Sequence, residues 1–184
     1  MAFPLTGEPL ALDLINTRSD SPDGLSDHLA TVEALDAWLR IQADRLPRPA
    51  APPTEADLAA VLRLREAADT VVDHVLRGVE PPAPALRALS EADRLAPPYR
   101  TLRWRDSGLT VATERAGDDR ATLLALLADA VIDLLAGPVH SVRACEGPGC
   151  RLLFLPAHPR RRWCSPELCG NRVRVARYYR RHKP

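Results

Sequence analysis

Four cysteines constrain this 184-residue chain more than any other feature of its sequence: Cys145-x4-Cys150 and Cys164-x4-Cys169 hold all of them. Two equal pairs separated by 13 residues suit a tetrahedral metal site, because structural zinc takes four thiolate or imidazole ligands and a chain commonly supplies them as two short-range pairs. Within the first pair, "EGPG" carries glycines and a proline that let the backbone curl until both sulfurs face one point. Unpaired buried cysteines, two disulfides and an iron–sulfur cluster compete as readings of the same residues.

The surrounding residues outline a small module. "RLLFLP" and "RRRW", between the pairs, read as two short strands around a turn at "AHP". "CSPELCGNR" then opens a helix, with Ser165 a candidate N-cap, Pro166 in the first turn and Glu167 complementing the positive helix end. Knuckle, hairpin and ligand-bearing helix follow the order of a treble-clef zinc finger. A core of this size depends on its metal.

Charge divides the chain at the same place. From residue 143 onward ten arginines and one lysine face two glutamates, a net of +9; the whole chain carries +1, so residues 1–142 carry −8. A basic segment on an acidic body points to a polyanion as the partner of the former, and a solvated face with no partner is the bland alternative. On a helical wheel from Leu168 to Arg181, Leu168, Cys169, Arg172, Val175, Ala176 and Tyr179 share a packing side, while Arg174, Arg177 and Arg181 lie opposite. With the flanking Arg180 they are the candidate phosphate contacts. Arg160, Arg161 and Arg162 offer a second basic strip, and Asn171 at the edge caps locally or touches a base. Arg172, among the packing positions, reads as a structural donor to finger carbonyls or to a carboxylate such as Glu167.

The preceding residues form a mainly α body. With 46% hydrophobic content, mostly Ala, Leu and Val, and 4% aromatics, the composition supports a helical core. Helices are expected behind Pro9, across Leu29, Val32, Leu35, Trp38 and Leu39 with Ser26 or Thr31 as cap, from the Thr54/Asp57 capping signal to Gly78, and from Pro84 to Leu95. "YRTLRWRDSGLTVATERA" alternates about a turn and predicts one small β-hairpin, the single sheet expected in the body. "DDRATLLALLADAVIDLLAG" is a central buried helix. No run is long and apolar enough to span a membrane, and the start lacks signal-peptide features, so a cytoplasmic location with reduced cysteines is expected.

At "CGNR", residues 169–172, and through "RRRWCSPELCGNRVRVARYYRRH", the chain resembles the bacterial CGNR zinc-finger proteins. "LALDLINTR", the Trp-Leu helix and "LRLREA" resemble the ABATE domain that accompanies this finger. The resemblance implies an ABATE-like helical regulatory domain over residues 1–140 and a CGNR zinc finger over 141–184. It further implies one structural zinc held by Cys145, Cys150, Cys164 and Cys169, and a stress-related transcription regulator that contacts DNA through the finger.

Within the body, Asp13, Asn16 and Arg65 stand beside apolar stripes, where such residues either line a small-molecule effector pocket or form a buried polar network. No catalytic constellation is present, so the chain is not expected to be an enzyme. The leading expectation is a DNA-binding regulator whose body senses or dimerises. A zinc-containing module that binds an acidic protein or RNA, and a small-molecule-binding body with an accessory finger, are the alternatives.

Overall fold

The computed structural model describes residues 3–4, 7–21 and 24–182, and of Ser21 and residues 176, 177 and 179–182 it describes the backbone alone. Helices dominate. α1 (Leu10–Ile15) starts directly behind Pro9 and is buried from Ala11 to Ile15. α2 (Val32–Ile41) begins at Thr31, whose hydroxyl accepts from the Ala34 amide, while the other candidate cap, Ser26, lies in a strand. α3 (Glu55–Leu76) opens with the complete Thr54/Asp57 capping box, satisfying two otherwise orphaned amides. It closes before Gly78, which adopts φ +65°, a conformation glycine enters at little cost. α4 (Ala83–Asp93) and α5 (Asp119–Ala136) complete the body.

The core lies where α5 packs on α1, α3 and α4. Leu12, Leu14, Val61, Ala68, Val72, Leu127, Ala128 and Val131 are essentially inaccessible there, and Trp38 seals α2 against them. Burial on this scale, at about 25 cal/mol per Å² of apolar surface, is the main stabilising term.

The described residues of the body form two antiparallel ribbons where one was expected. β3 (Pro98–Arg105) and β4 (Gly108–Arg115) form the anticipated one, turning through Asp106 and Ser107, both at positive φ, the conformation of a tight two-residue turn matched to strand twist. The unexpected ribbon pairs β1 (Arg18–Ser21) with β2 (Gly24–Asp27). Its "RSDS" and "GLSD" carry no apolar alternation, and tertiary bonds hold it instead: Asp27 is gripped by Arg65 and Ser19 bonds His28 at 2.8 Å.

After α5 a single 3-10 turn, Val139–Ser141, leads into β5 (Arg143–Ala144), which pairs antiparallel with β6 (Leu153–Phe154). This corrects the expected pairing of "RLLFLP" with "RRRW". The hairpin brackets the first cysteine pair, and residues 160–163 follow a turn in which the Arg161 amide bonds His158 O at 3.0 Å. A π-helical turn, Pro166–Gly170, precedes α6 (Asn171–His182).

Candidate metal centre and basic face

All four cysteines converge at the end of the β5–β6 hairpin. Their sulfurs lie within 4.8 Å of one another, and none is in a disulfide. Cys145 leaves β5, and Cys150 follows a turn closed by its own amide on Gly147 O at 3.0 Å, with Gly149 at φ +63°. Cys164 directly follows Trp163 and carries an amide that bonds the Cys145 sulfur. Cys169 arrives from the π-helical turn, capped as expected by Ser165 Oγ on the Leu168 amide at 2.9 Å. The wider turn, closed by the Gly170 amide on Ser165 O at 3.0 Å, brings Cys169 inward.

The environment is built for anionic sulfur. Cys145 Sγ accepts from the Cys164 amide at 3.2 Å and the Gly147 amide at 3.4 Å, and Cys169 Sγ accepts from Arg172 Nη2 at 3.1 Å. Donors of this kind favour the charged form. A hydrogen bond from the Cys164 thiol lowers Cys150 to about 5, whereas that same bond raises Cys164, and burial raises Cys169 to about 11. Four crowded thiols do not all ionise by themselves; a divalent cation supplies the charge that lets them. Space is tight too, since a Cβ on Gly147 would stand 2.9 Å from both Cβ and Sγ of Cys169. The donor set fits a four-thiolate metal site of the zinc type.

Arg172 donates to the Cys169 sulfur rather than to a carbonyl or Glu167. Leu168 and Val175, placed on the packing side by the wheel, are 49% and 51% exposed. The side chains of Ala176 and Tyr179, the other packing-side positions beyond Arg172, lie outside the described residues.

The candidate nucleic-acid residues separate by environment. Arg160 and Arg174 are exposed, the latter bonding Asn171 Oδ1 at 2.9 Å on the equally exposed Asn171. Arg162 is exposed and paired with Glu146, which holds that carboxyl below its usual range. Arg161 departs from the expected outward strip. Its guanidinium stacks 4.4 Å from the Phe154 ring centroid and donates to Trp163 O, Cys164 O and Glu8 Oε1, because it plugs the joint between finger and body. The side chains of Arg177, Arg180 and Arg181 lie outside the described residues.

That joint contains contacts the sequence did not reveal. Asn16 Nδ2 donates to Leu153 O at 2.8 Å while its Oδ1 accepts from the Leu153 amide at 2.9 Å. Glu8 Oε2 accepts from the Leu155 amide at 2.9 Å, and Arg151 pairs with Asp69 at 2.8 Å. Burial raises the Asp69 carboxyl, against the pull of Arg151. Asp13 holds Glu8 in place through the Gly7 and Glu8 amides, at 3.0 and 3.1 Å, and is paired with Arg45.

Asp13, Asn16 and Arg65 are thus partnered by the protein itself. Arg65 grips Asp27 through two bonds of 2.8 and 2.5 Å and Thr17 at 2.8 Å. Although burial raises the Asp27 carboxyl, the Arg65 bond, the Leu29 amide and two arginine charges leave it below the usual range. A groove of about 240 Å³ lies elsewhere, under the proline loop of residues 47–53 and against Leu39, Asp57, Arg120 and Leu123. Neither it nor the adjoining 310 Å³ groove is lined by Asp13, Asn16 or Arg65.

A mainly helical body, a cluster of four cysteines with the spacing of a metal site and an arginine-rich helix together have the make-up of a zinc-finger protein with an attached helical domain. Residues 8–138 match the ABATE family, described as "putative stress-induced transcription regulator", and residues 141–182 match the CGNR zinc finger. The chain belongs to the ABATE family and carries a CGNR zinc finger. No curated protein matches it. None of the described helices is long and apolar enough to cross a membrane.

Proposed function

We propose that the protein is a cytoplasmic, non-enzymatic transcription regulator of bacterial type whose finger, residues 141–184, binds DNA, while the body, residues 1–140, senses or dimerises. One structural zinc per chain sits on Cys145, Cys150, Cys164 and Cys169. The observation that carries this reading is the charge division, −8 on the first 142 residues against +9 on the remainder, with Arg160 and Arg174 exposed. Phosphate contact by such arginines supplies affinity that falls with salt. Arg162 and Asn171 flank them, and Arg177, Arg180 and Arg181 extend the same helix. The internal contacts of Asp13, Asn16 and Arg65 support a structural rather than effector-binding role for those three.

Metal content per chain and duplex-DNA binding at two salt concentrations test the proposal. One zinc per chain, binding that weakens with salt, and its loss in an Arg174→Ala/Arg177→Ala/Arg181→Ala variant that still holds zinc are expected. Salt-independent binding, or zinc with no DNA binding, would overturn the DNA role and leave the finger as a protein- or RNA-docking module.

A further inference from the structure

The β3–β4 hairpin turns its apolar side away from the body. The cross-strand pairs Leu102–Val111 and Trp104–Leu109 share one face, and these residues are 65, 50, 73 and 63% exposed in that order. The opposite face is polar: Glu114 accepts from Tyr99 and Thr101 at 3.2 Å and pairs with Arg103. Yet it is this polar face that holds the half-buried Thr101, Gly108, Ala112 and Glu114. Antiparallel sheets ordinarily place the apolar side inward, so the ribbon is inverted. A two-stranded ribbon is marginal in water without a surface to pack on, and this one is tied down at its base by Arg115, bonded to Ala96 O at 2.9 Å and Asp129 at 2.5 Å.

We propose that this face is a homodimer interface, in which the hairpins of two copies pack face to face with the tip of each over the base of the other. With full surfaces of roughly 150–250 Å² for large side chains, the four exposed fractions amount to on the order of 450 Å² per copy. Two such faces with their rims bury about 1,000 Å², the threshold for a specific interface. A patch of this size equals the largest on a typical monomer, and such patches often serve an interaction.

Charge selects both the partner and the orientation. Arg100 is exposed on the apolar face near the base, and Asp106 sits in the turn at the tip. A two-fold axis crossing the strands at the level of Arg103 places Arg100 of one copy opposite Asp106 of the other, at both ends of the interface. The parallel arrangement instead sets Arg100 against Arg100 and crowds two acidic bodies at one end. The same patch is therefore complementary to itself, as a two-fold interface requires.

Sedimentation equilibrium of the metal-loaded full chain without nucleic acid reads this separately from any DNA role. The wild type is expected to dimerise reversibly. Trp104→Glu and Leu102→Glu, each with unchanged circular dichroism and metal content, should raise the dimer Kd at least about a hundredfold, while Thr110→Glu on the polar face should not. Arg100→Asp should weaken the dimer, and adding Asp106→Arg should restore it. A wild type that stays monomeric at high concentration would overturn the proposal and leave the face to a different protein. A dimer indifferent to Trp104→Glu would overturn it as well, and failure of the charge swap to restore association would overturn the tip-over-base arrangement.

Discussion

Asn16 and Leu153, 137 residues apart, exchange two hydrogen bonds, so that the side-chain amide of the residue capping α1 occupies the outer edge of β6 as a neighbouring strand would. Two residues on, the Leu155 amide finds the Glu8 carboxylate on the same edge. Alternate residues of a strand present their backbone groups to one side, which is why Leu153 and Leu155 face the body while Leu152 O accepts from the Cys145 amide on the other. Along this edge the body holds the finger's backbone, while Asp69 and Glu8 take the side chains of Arg151 and Arg161.

Asn16→Ala should loosen this joint without unseating the metal. It leaves the amide and carbonyl of Leu153 without partners, a loss of about 1–3 kcal/mol in stability. Faster hydrogen exchange at the Leu153 amide, a lower Tm and unchanged metal content are the expected readouts.

Arg161→Ala and Arg174→Ala should behave oppositely, although both remove an arginine from the basic region. The first breaks the Glu8 pair and the Phe154 stack and should lower stability by about 2–4 kcal/mol. The second should leave Tm within about 0.5 kcal/mol of wild type and reduce the salt slope of DNA binding by about one. Thermal melts and salt titrations on both variants check the contrast.

Gly147→Ala should weaken metal affinity, by about tenfold or more on the scale of perturbed metal environments, since its Cβ would meet Cys169 at 2.9 Å. Competition with a chromophoric chelator measures it. Complete metal removal should unfold the finger, whose own apolar cluster holds little beyond the cysteines other than Leu152 and Phe154, with Trp163 packed against them, while the helical body keeps its own core and most of the far-ultraviolet signal.

Asp27 sets a pH dependence. Its carboxyl lies below the ordinary value of 3.8 in the folded protein, so the stability it contributes is complete above pH 3.8 and is lost as pH falls through the lower folded value. Asp27→Asn should be less stable than wild type at neutral pH and should lose less on acidification below that point. Chemical denaturation at a series of acidic pH values shows whether the two curves converge.

Local signals determined much of this protein. The capping box at Thr54, the stop at Gly78, the Asp106 turn and the paired cysteines each act within a few residues, and spacing alone exposes them. The charge division follows from composition along the chain, and the CGNR motif from resemblance to a known family. What tertiary structure decided depends on partners distant in sequence. The β1–β2 ribbon exists because Arg65 reaches Asp27, not because its own residues favour strands. β6 pairs with β5 rather than with "RRRW", because hydrogen bonds around the first cysteine pair close the shorter loop. Arg161 and Arg174 are the same residue type in the same basic stretch. Only the approach of Glu8 from the far end of the chain turns one inward as a clamp and leaves the other at the surface.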